Sequence, residues 1–448
     1  MHSLPTELLL LIAAAVIDDA GPGFATWTLK TLSSVCREWR ETLLSTPQLW
    51  SRVSICVFGY GRIAHTEPIL PVILSRSYPH PLDLTITEGL RDVAALRAKG
   101  ETIAFNGQLS EIRGRQIHHL HLRFEKTEGK LRHQYIWDWF GQDAFQDMTS
   151  LHLEGGLHGI HQDSRFQITV DNITVHSPAL EDLRLFGVFL TQFASCPFLN
   201  LVALDLHWSP HHYDGRCWLR LGQLQKLEEL CLRFPDGEIP LPRTDGLEPV
   251  SYPDMTLARL RELTIECAKL PSSQLAASYF RSLDLPSLQS LHLFCPEKSH
   301  AHWKEVVLRP GRTYPHVKSL RIYSDAPRDE YGPRFPALDE IIVPPLIRWT
   351  REEGHFGVDV SWALGPSWPR RRIIDLREHT ERQPVVLASV KGQVSSIGRS
   401  HAEPKLVILV HPSAKAWCED KGIWDWLIEN TDVITDRGGV HRVRTFFA

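Results

Sequence analysis

The sequence predicts an α/β protein. A small helical module comes first, then an irregular repeat solenoid with a parallel inner sheet and outer helices, then an enlarged α/β cap. Three observations carry this reading. One short apolar phrase recurs between residues 117 and 344, the first fifty residues follow a helical pattern instead, and past residue 344 the phrase is lost. The expected boundaries are 2–52 for the helical module and 53–116 for connecting and capping repeats. The solenoid takes 117–344 and the cap 345–448.

The phrase reads apolar, two residues, Leu, one residue, apolar. It stands at Ile117-Leu120-Leu122, Met148-Leu151-Leu153, Leu180-Leu183-Leu185, Leu201-Leu204-Leu206 and Leu227-Leu230-Leu232. It returns at Leu260-Leu263-Ile265, Leu288-Leu291-Leu293, Val317-Leu320-Ile322 and, with Ile in the Leu place, Leu338-Ile341-Val343. Its last three residues alternate apolar, exposed, apolar, which is what a half-buried strand requires. Copies start 21 to 33 residues apart. That spacing resembles leucine-rich repeats, whose units cannot bury their apolar sides alone and do so by stacking. Connecting stretches such as Ser272 to Asp284 and Ser299 to Leu308 fit helical turns on the return path. Pro178, Pro286, Pro315 and Pro336 each lie two residues before the first apolar position, where a proline ends the preceding segment without removing a ladder hydrogen bond. Glu125, Gly156, Val188 and Pro235 stand where a regular leucine-rich repeat carries Asn or Cys, so irregular curvature is expected.

The N-terminal module is read as two helices. Pro5 and Glu7 suit a first turn, and the helix runs to about Ile17, apolar nearly all round, so it needs cover on more than one side. Asp18 to Thr26 is a loop by its Gly-Pro-Gly. A second helix places Leu29, Leu32, Cys36, Trp39 and Leu43 on one stripe, with Arg37 and Glu41 paired along its polar side. Thr46-Pro47 ends it, and Leu49-Trp50 leads into the apolar segment Val53 to Phe58.

The segments LPTELLLLI and LSSVCREWRETLLSTPQLWSRVSI resemble an F-box, in the form common in mushroom-forming fungi. Leu4, Pro5, Glu7, Leu8, Ile12, Val35, Cys36, Trp39, Arg40, Pro47, Leu49 and Trp50 carry the likeness. The resemblance implies docking on a Skp-type adaptor and, through it, on a cullin–RING scaffold. The adaptor-binding set it implies adds Leu9, Leu32 and Leu43 to Leu4, Pro5, Leu8, Ile12, Val35, Cys36, Trp39, Arg40, Pro47, Leu49 and Trp50. The loop Asp18 to Thr26 departs from a minimal F-box in length and glycine content. A module of this size has too much apolar surface to cover by itself, which also points to a partner. The plainer reading is that both helices pack onto the first repeats.

Strand residues flanking the buried leucines face away from the core. His119, His121, Arg123, His152, Glu154, Arg184, Phe186, His207, Arg233, His292, Phe294, Arg321 and Tyr323 are therefore the candidates for holding a protein target on the concave face. Mixed charge with aromatics suits a protein surface better than a phosphate backbone. The competing reading is that such positions are polar because they meet solvent; a convex or C-terminal surface is a further alternative.

Lys plus Arg number 49 against 53 Asp plus Glu, a net charge of −4, which disfavours general nucleic-acid binding. The run Leu8 to Ile17 is too short for a membrane span and lacks the preceding positive charge of a signal peptide. Eight dispersed cysteines without a CxxC pair suit reduced thiols, so the expected setting is cytoplasmic, nuclear or both. There is no GxSxG, phosphate-loop, GxGxxG or HExxH motif, and no catalytic residue is assigned. His207, His211, His212 and Cys217 have zinc-ligand chemistry without a recognised spacing, so neither a metal nor a cofactor is expected. Pro369 to Arg372 is too short for a basic recognition patch. The tail keeps a buried strand at Lys405 to Val410 and an amphipathic helix at Lys415 to Glu429. The expected role is substrate recognition within a cullin-based ubiquitin ligase; the alternative is a protein-binding repeat scaffold outside any ligase.

Overall fold

The computed structural model describes residues 4–20, 25–58, 62–64, 70–88, 112, 114–124, 142–154, 167–169, 179–186, 189–191, 198–207, 219–234, 254–267, 270–294, 300–307, 309, 311–322, 333–343, 346–350, 355–359, 371–375, 387–388, 391, 406–410 and 423–435. The chain is mixed α/β and forms two compact units, residues 1–227 and 228–448. Each contains its own part of a parallel ladder.

In the first unit, helices α1 (Thr6–Ala20), α2 (Ala25–Leu32), α3 (Arg37–Leu44) and α4 (Pro47–Trp50) precede strand β1 (Arg52–Phe58). Next come β2 (Arg62–Ala64), α5 (Leu70–Ser77), β3 (Leu82–Glu88), β4 (Ile117–Phe124), β5 (Ser150–Glu154), β6 (Gln167–Thr169), β7 (Asp182–Phe186), β8 (Phe189–Thr191) and β9 (Ala203–His207). The main sheet runs β2-β1-β3-β4-β5-β7-β9. Only β2 is antiparallel to its neighbour; the other pairs are parallel. The ladder therefore begins at β1 and β3, well before the first copy of the phrase at Ile117.

In the second unit, β10 (Glu229–Phe234), β12 (Glu262–Cys267), β14 (Ser290–Phe294), β15 (Ser319–Ile322), β16 (Glu340–Val343), β19 (Arg371–Asp375), β20 (Leu406–Val410) and β21 (Thr431–Thr435) pair in parallel in that order. Short β11 (Met255–Thr256) and β13 (Leu283–Asp284) pair with each other, and β17 (Leu346–Thr350) with β18 (His355–Asp359) makes an antiparallel hairpin. The unit also contains helices α6 (Leu270–Arg281), α7 (His300–Val307) and α8 (Ile423–Asn430). The sequence expects a cap once the phrase ends. Past the last copy, β19, β20 and β21 extend the ladder of β16. Of the helix expected over 415–429, residues 415–422 lie outside the described residues.

The phrase folds as its spacing requires. Ile117, Met148, Leu180, Leu201, Leu260 and Val317 are fully buried, as are the paired strand leucines at 120, 122, 151, 153, 183 and 185. Burying one such side chain contributes about 1.5–3 kcal/mol. The structure adds an anchor that the phrase omits. Three residues before the first apolar position, Phe145, Leu224, Leu257, Leu285, Tyr314 and Phe335 are buried, and each carbonyl accepts a hydrogen bond from the first apolar residue's amide at 3.0–3.3 Å. In Leu285-Pro286, Tyr314-Pro315 and Phe335-Pro336 the proline takes the second place of this turn, where its fixed φ fits. Pro178 lies outside the described residues.

The helical module departs from expectation in two respects. Leu29, Leu32, Cys36, Trp39 and Leu43 do not lie on one helix, because the chain breaks after Leu32 and restarts at Arg37. Ser33 and Ser34 donate their hydroxyls to the Lys30 and Thr31 carbonyls at 2.9 and 2.6 Å, local bonds that compete with helix continuation. Cys36 is extended, with φ −154° and ψ 173°, and stands at the N-cap position of α3 without a side-chain cap hydrogen bond. Helix α1 reaches Ala20, beyond Ile17, and among the described residues Leu9, Ala13 and Ile17 form its buried face while Leu8, Leu11, Ile12 and Val16 stay exposed. The expected Arg37–Glu41 pair is present at 2.8 Å. Among the described residues no helix is long and apolar enough to cross a membrane.

Candidate functional site

Two surfaces in the first unit bring the sequence-derived candidates together. The first is α1. Leu9, Ala13 and Ile17, spaced by four, pack inward, with α2 and α3 as neighbours. Leu4, Leu8, Ile12 and Val16, also spaced by four, form a second row that stays 38–48% exposed, and Leu11 beside it is 66% exposed. Trp27 on α2 and Val35 in the turn before α3 are exposed as well.

The adaptor candidates divide by burial. Leu4, Pro5, Leu8, Ile12, Val35, Cys36 and Arg40 are exposed, and Leu32, Trp39 and Pro47 are half-buried. Leu9, Leu43, Leu49 and Trp50 are buried and hold the module itself together. Trp50 donates its indole N–H to the Leu43 carbonyl at 2.8 Å, and the Arg76 guanidinium lies over its ring at 4.7 Å. That contact ties α4 to α5. Arg40 donates to the Ser33 carbonyl at 3.0 Å and fixes the break between α2 and α3. Leu11, Val16 and Trp27 are absent from the sequence-derived set; continuing the i, i+4 row from Leu4 would have found Val16.

The second surface is the sheet face opposite the leucines. Parallel register sets His121 of β4 beside His152 of β5, and His152 beside Arg184 of β7. The next row places Arg123 beside Glu154 and Glu154 beside Phe186. The His121 and His152 rings stack at 4.4 Å and 15°. Glu154 lies 3.8 Å from His121 Nε2 through one oxygen and 3.3 Å from Arg123 Nε through the other. Arg184 Nε donates to both Asp182 oxygens, at 2.9 and 3.1 Å. A bulge between β3 and β4 inserts His118, so Asp83 pairs with His119. Burial raises the Asp83 pKa above the usual carboxylate value, opposed by His119, Arg52 and His118. Among the described residues, ligand atoms lie within 4.8 Å of one another in two groups, Asp83–His118–His119 and His121–His152–Glu154.

Several face candidates are not at the surface. His207 is 1% exposed, with Phe186 edge-on to its ring at 5.4 Å. In the second unit Arg233 is buried with Glu266 at 3.1 Å, and Arg321 is 4% exposed with its guanidinium 4.1 Å from the Phe294 ring centre. Neighbouring strands in a sheet are about 4.8 Å apart, so long flat side chains lie down on the next residue of their row. His292 and Phe294 remain half-buried, His292 within 3.1 Å of the Ser290 hydroxyl. Tyr323, His211, His212 and Cys217 lie outside the described residues. Compared with known proteins, the sequence matches no family model and no curated protein, so the functional reading rests on these residues and their geometry.

Proposed function

We propose that the chain is the substrate-recognition subunit of an SCF-type cullin ubiquitin ligase. On this reading residues 2–52 are an F-box that docks on a Skp-type adaptor, and the leucine-rich-repeat-like array captures a protein target. The exposed row Leu4, Leu8, Leu11, Ile12 and Val16 carries the proposal. These side chains meet water on a helix whose other apolar row is already packed, and a contiguous exposed apolar strip is the usual mark of a protein partner. Covering one aliphatic side chain yields about 1.5–3 kcal/mol, so several together would support specific docking. The chain would contribute geometry and no catalytic group. Holding the target near a ubiquitin-charged carrier raises the effective concentration of its lysines.

The test is co-purification with a Skp-type adaptor, wild type beside Leu8→Asp. Leu8 is 48% exposed, so the variant keeps the fold. Stoichiometric binding that the variant loses is expected. A well-folded wild type that binds no adaptor would overturn the proposal and leave a repeat scaffold outside any ligase.

A further inference from the structure

We propose that His121, His152 and Glu154 form a site for a divalent transition-metal ion of the zinc class on the outward face of the first unit's sheet. The inference is independent of the ligase reading. Two imidazoles and one carboxylate are a donor set that zinc accepts, with the fourth position left to water. The fold supplies them from adjacent strands: His121 and His152 are register partners, and Glu154 follows His152 by two residues on the same face.

The geometry is close to what an ion needs. One ligand atom from each residue lies within 4.8 Å of the others. Metal–ligand bonds of about 2.0–2.1 Å at tetrahedral angles set the donors about 3.4 Å apart, a closure that side-chain rotation can supply. Arg123 holds one oxygen of Glu154 and leaves the other toward His121, the kind of outer support that orients a ligating carboxylate. His121 and Glu154 are each 24% exposed at the side chain, sheltered yet open to an entering ion. The neighbouring group Asp83–His118–His119 is the weaker candidate. Its His119 is 48% exposed, and burial disfavours the charged form of Asp83 that a metal requires.

Zinc titration of the full chain against a competing chromophoric chelator tests this, with Co²⁺ absorption reporting the coordination. Wild type is expected to bind one ion far more tightly than any other. His152→Ala and Glu154→Gln each weaken that ion on the order of 100-fold, Arg123→Gln roughly 10-fold, and His119→Ala leaves it unchanged. Glu154→Gln keeps the side-chain shape and serves as the test should His152→Ala fail to fold. Weak, multiple binding that neither ligand variant changes would overturn the site. So would tight binding lost only in His119→Ala.

Discussion

The same strand phrase builds both ladders, yet parts of their outward faces differ in how deeply the side chains are packed. In the second unit part of the face closes on itself: Arg233 and Glu266 pair with side chains 9% and 12% exposed, and Arg321 lies on Phe294, while His292 and Phe294 stay half-buried. In the first unit the corresponding rows stay half-open and carry His121, His152, Arg123 and Glu154. The leucines set where a strand goes. The alternate residues set whether its other face is structure or surface, and the first unit is where a ligand should be sought.

The largest expected effect lies behind the second unit's sheet. Trp303 of α7 is 1% exposed, donates its indole N–H to the Ser273 hydroxyl at 2.6 Å, and stands edge-on to Phe280 at 5.8 Å. Trp303→Ala should cost about 3–5 kcal/mol, read from chemical denaturation. Leu11→Ala, on an exposed position of α1, should cost well under 1 kcal/mol in the free chain. Equal losses would show that α1 is covered within the chain, and would remove the contrast between packed and unpartnered apolar surface.

The outward faces can be compared directly. Glu266→Gln disturbs an ion pair held largely out of water and should cost about 3 kcal/mol. Glu154→Gln removes a carboxylate from a row open to solvent, where such a pair contributes about 0–1 kcal/mol. Denaturation midpoints of the two variants give the difference. Similar values would mean that the two faces are equally sealed.

Each unit also has an arginine that gathers backbone carbonyls behind a helix. Arg312 donates to the carbonyls of Phe280, Arg281 and Leu283 and lies over the Phe280 and Tyr314 rings at 4.9 and 5.3 Å. Arg115 donates to the Leu74 and His80 carbonyls at 2.6 and 2.9 Å and to the Ser77 hydroxyl at 3.1 Å. Arg312→Ala should cost about 2 kcal/mol and Arg115→Ala about 1.5 kcal/mol, the first more because Arg312 lies over two rings and Arg115 over one, Tyr78, at 5.6 Å. Thermal melts of the two variants set the order.

What the sequence made legible follows from what repeats. Leucines at alternate positions announce themselves, so nine strands and their core side are readable. Strands β1 and β3 fall outside the phrase, because Val53 follows Trp50 where the phrase has Leu, and Leu84 and Ile86 follow Pro81 in place of the leading apolar residue. The anchors Tyr314 and Phe335 escape for a related reason: a residue three before the phrase varies in type, and only its buried turn shows the role. Counting steps of three and four cannot detect two serines that break α2 from α3. Of the metal candidate, every residue was readable as outward-facing. The contact between His121 and His152 crosses strands, and it appears only when Leu120 is set against Leu151.

The smallest expected effect concerns Asp83, where the first unit's open face meets buried backbone. Its carboxyl is pushed up by burial, with His119, Arg52 and His118 pulling the other way. A folded-state pKa above the unfolded one means that the folded chain binds more protons in the window just above the ordinary aspartate value of about 3.9. Stability from this group is thus gained as pH falls through that window and lost as pH rises through it. Asp83→Asn should be as stable as wild type or slightly more at pH 7, and should lack the gain on acidification. Melting temperatures of both proteins from pH 7 to pH 4 give the difference. If wild type instead loses more on acidification than Asp83→Asn, attraction to His119 and Arg52 outweighs burial, and this end of the open face is held together by charge.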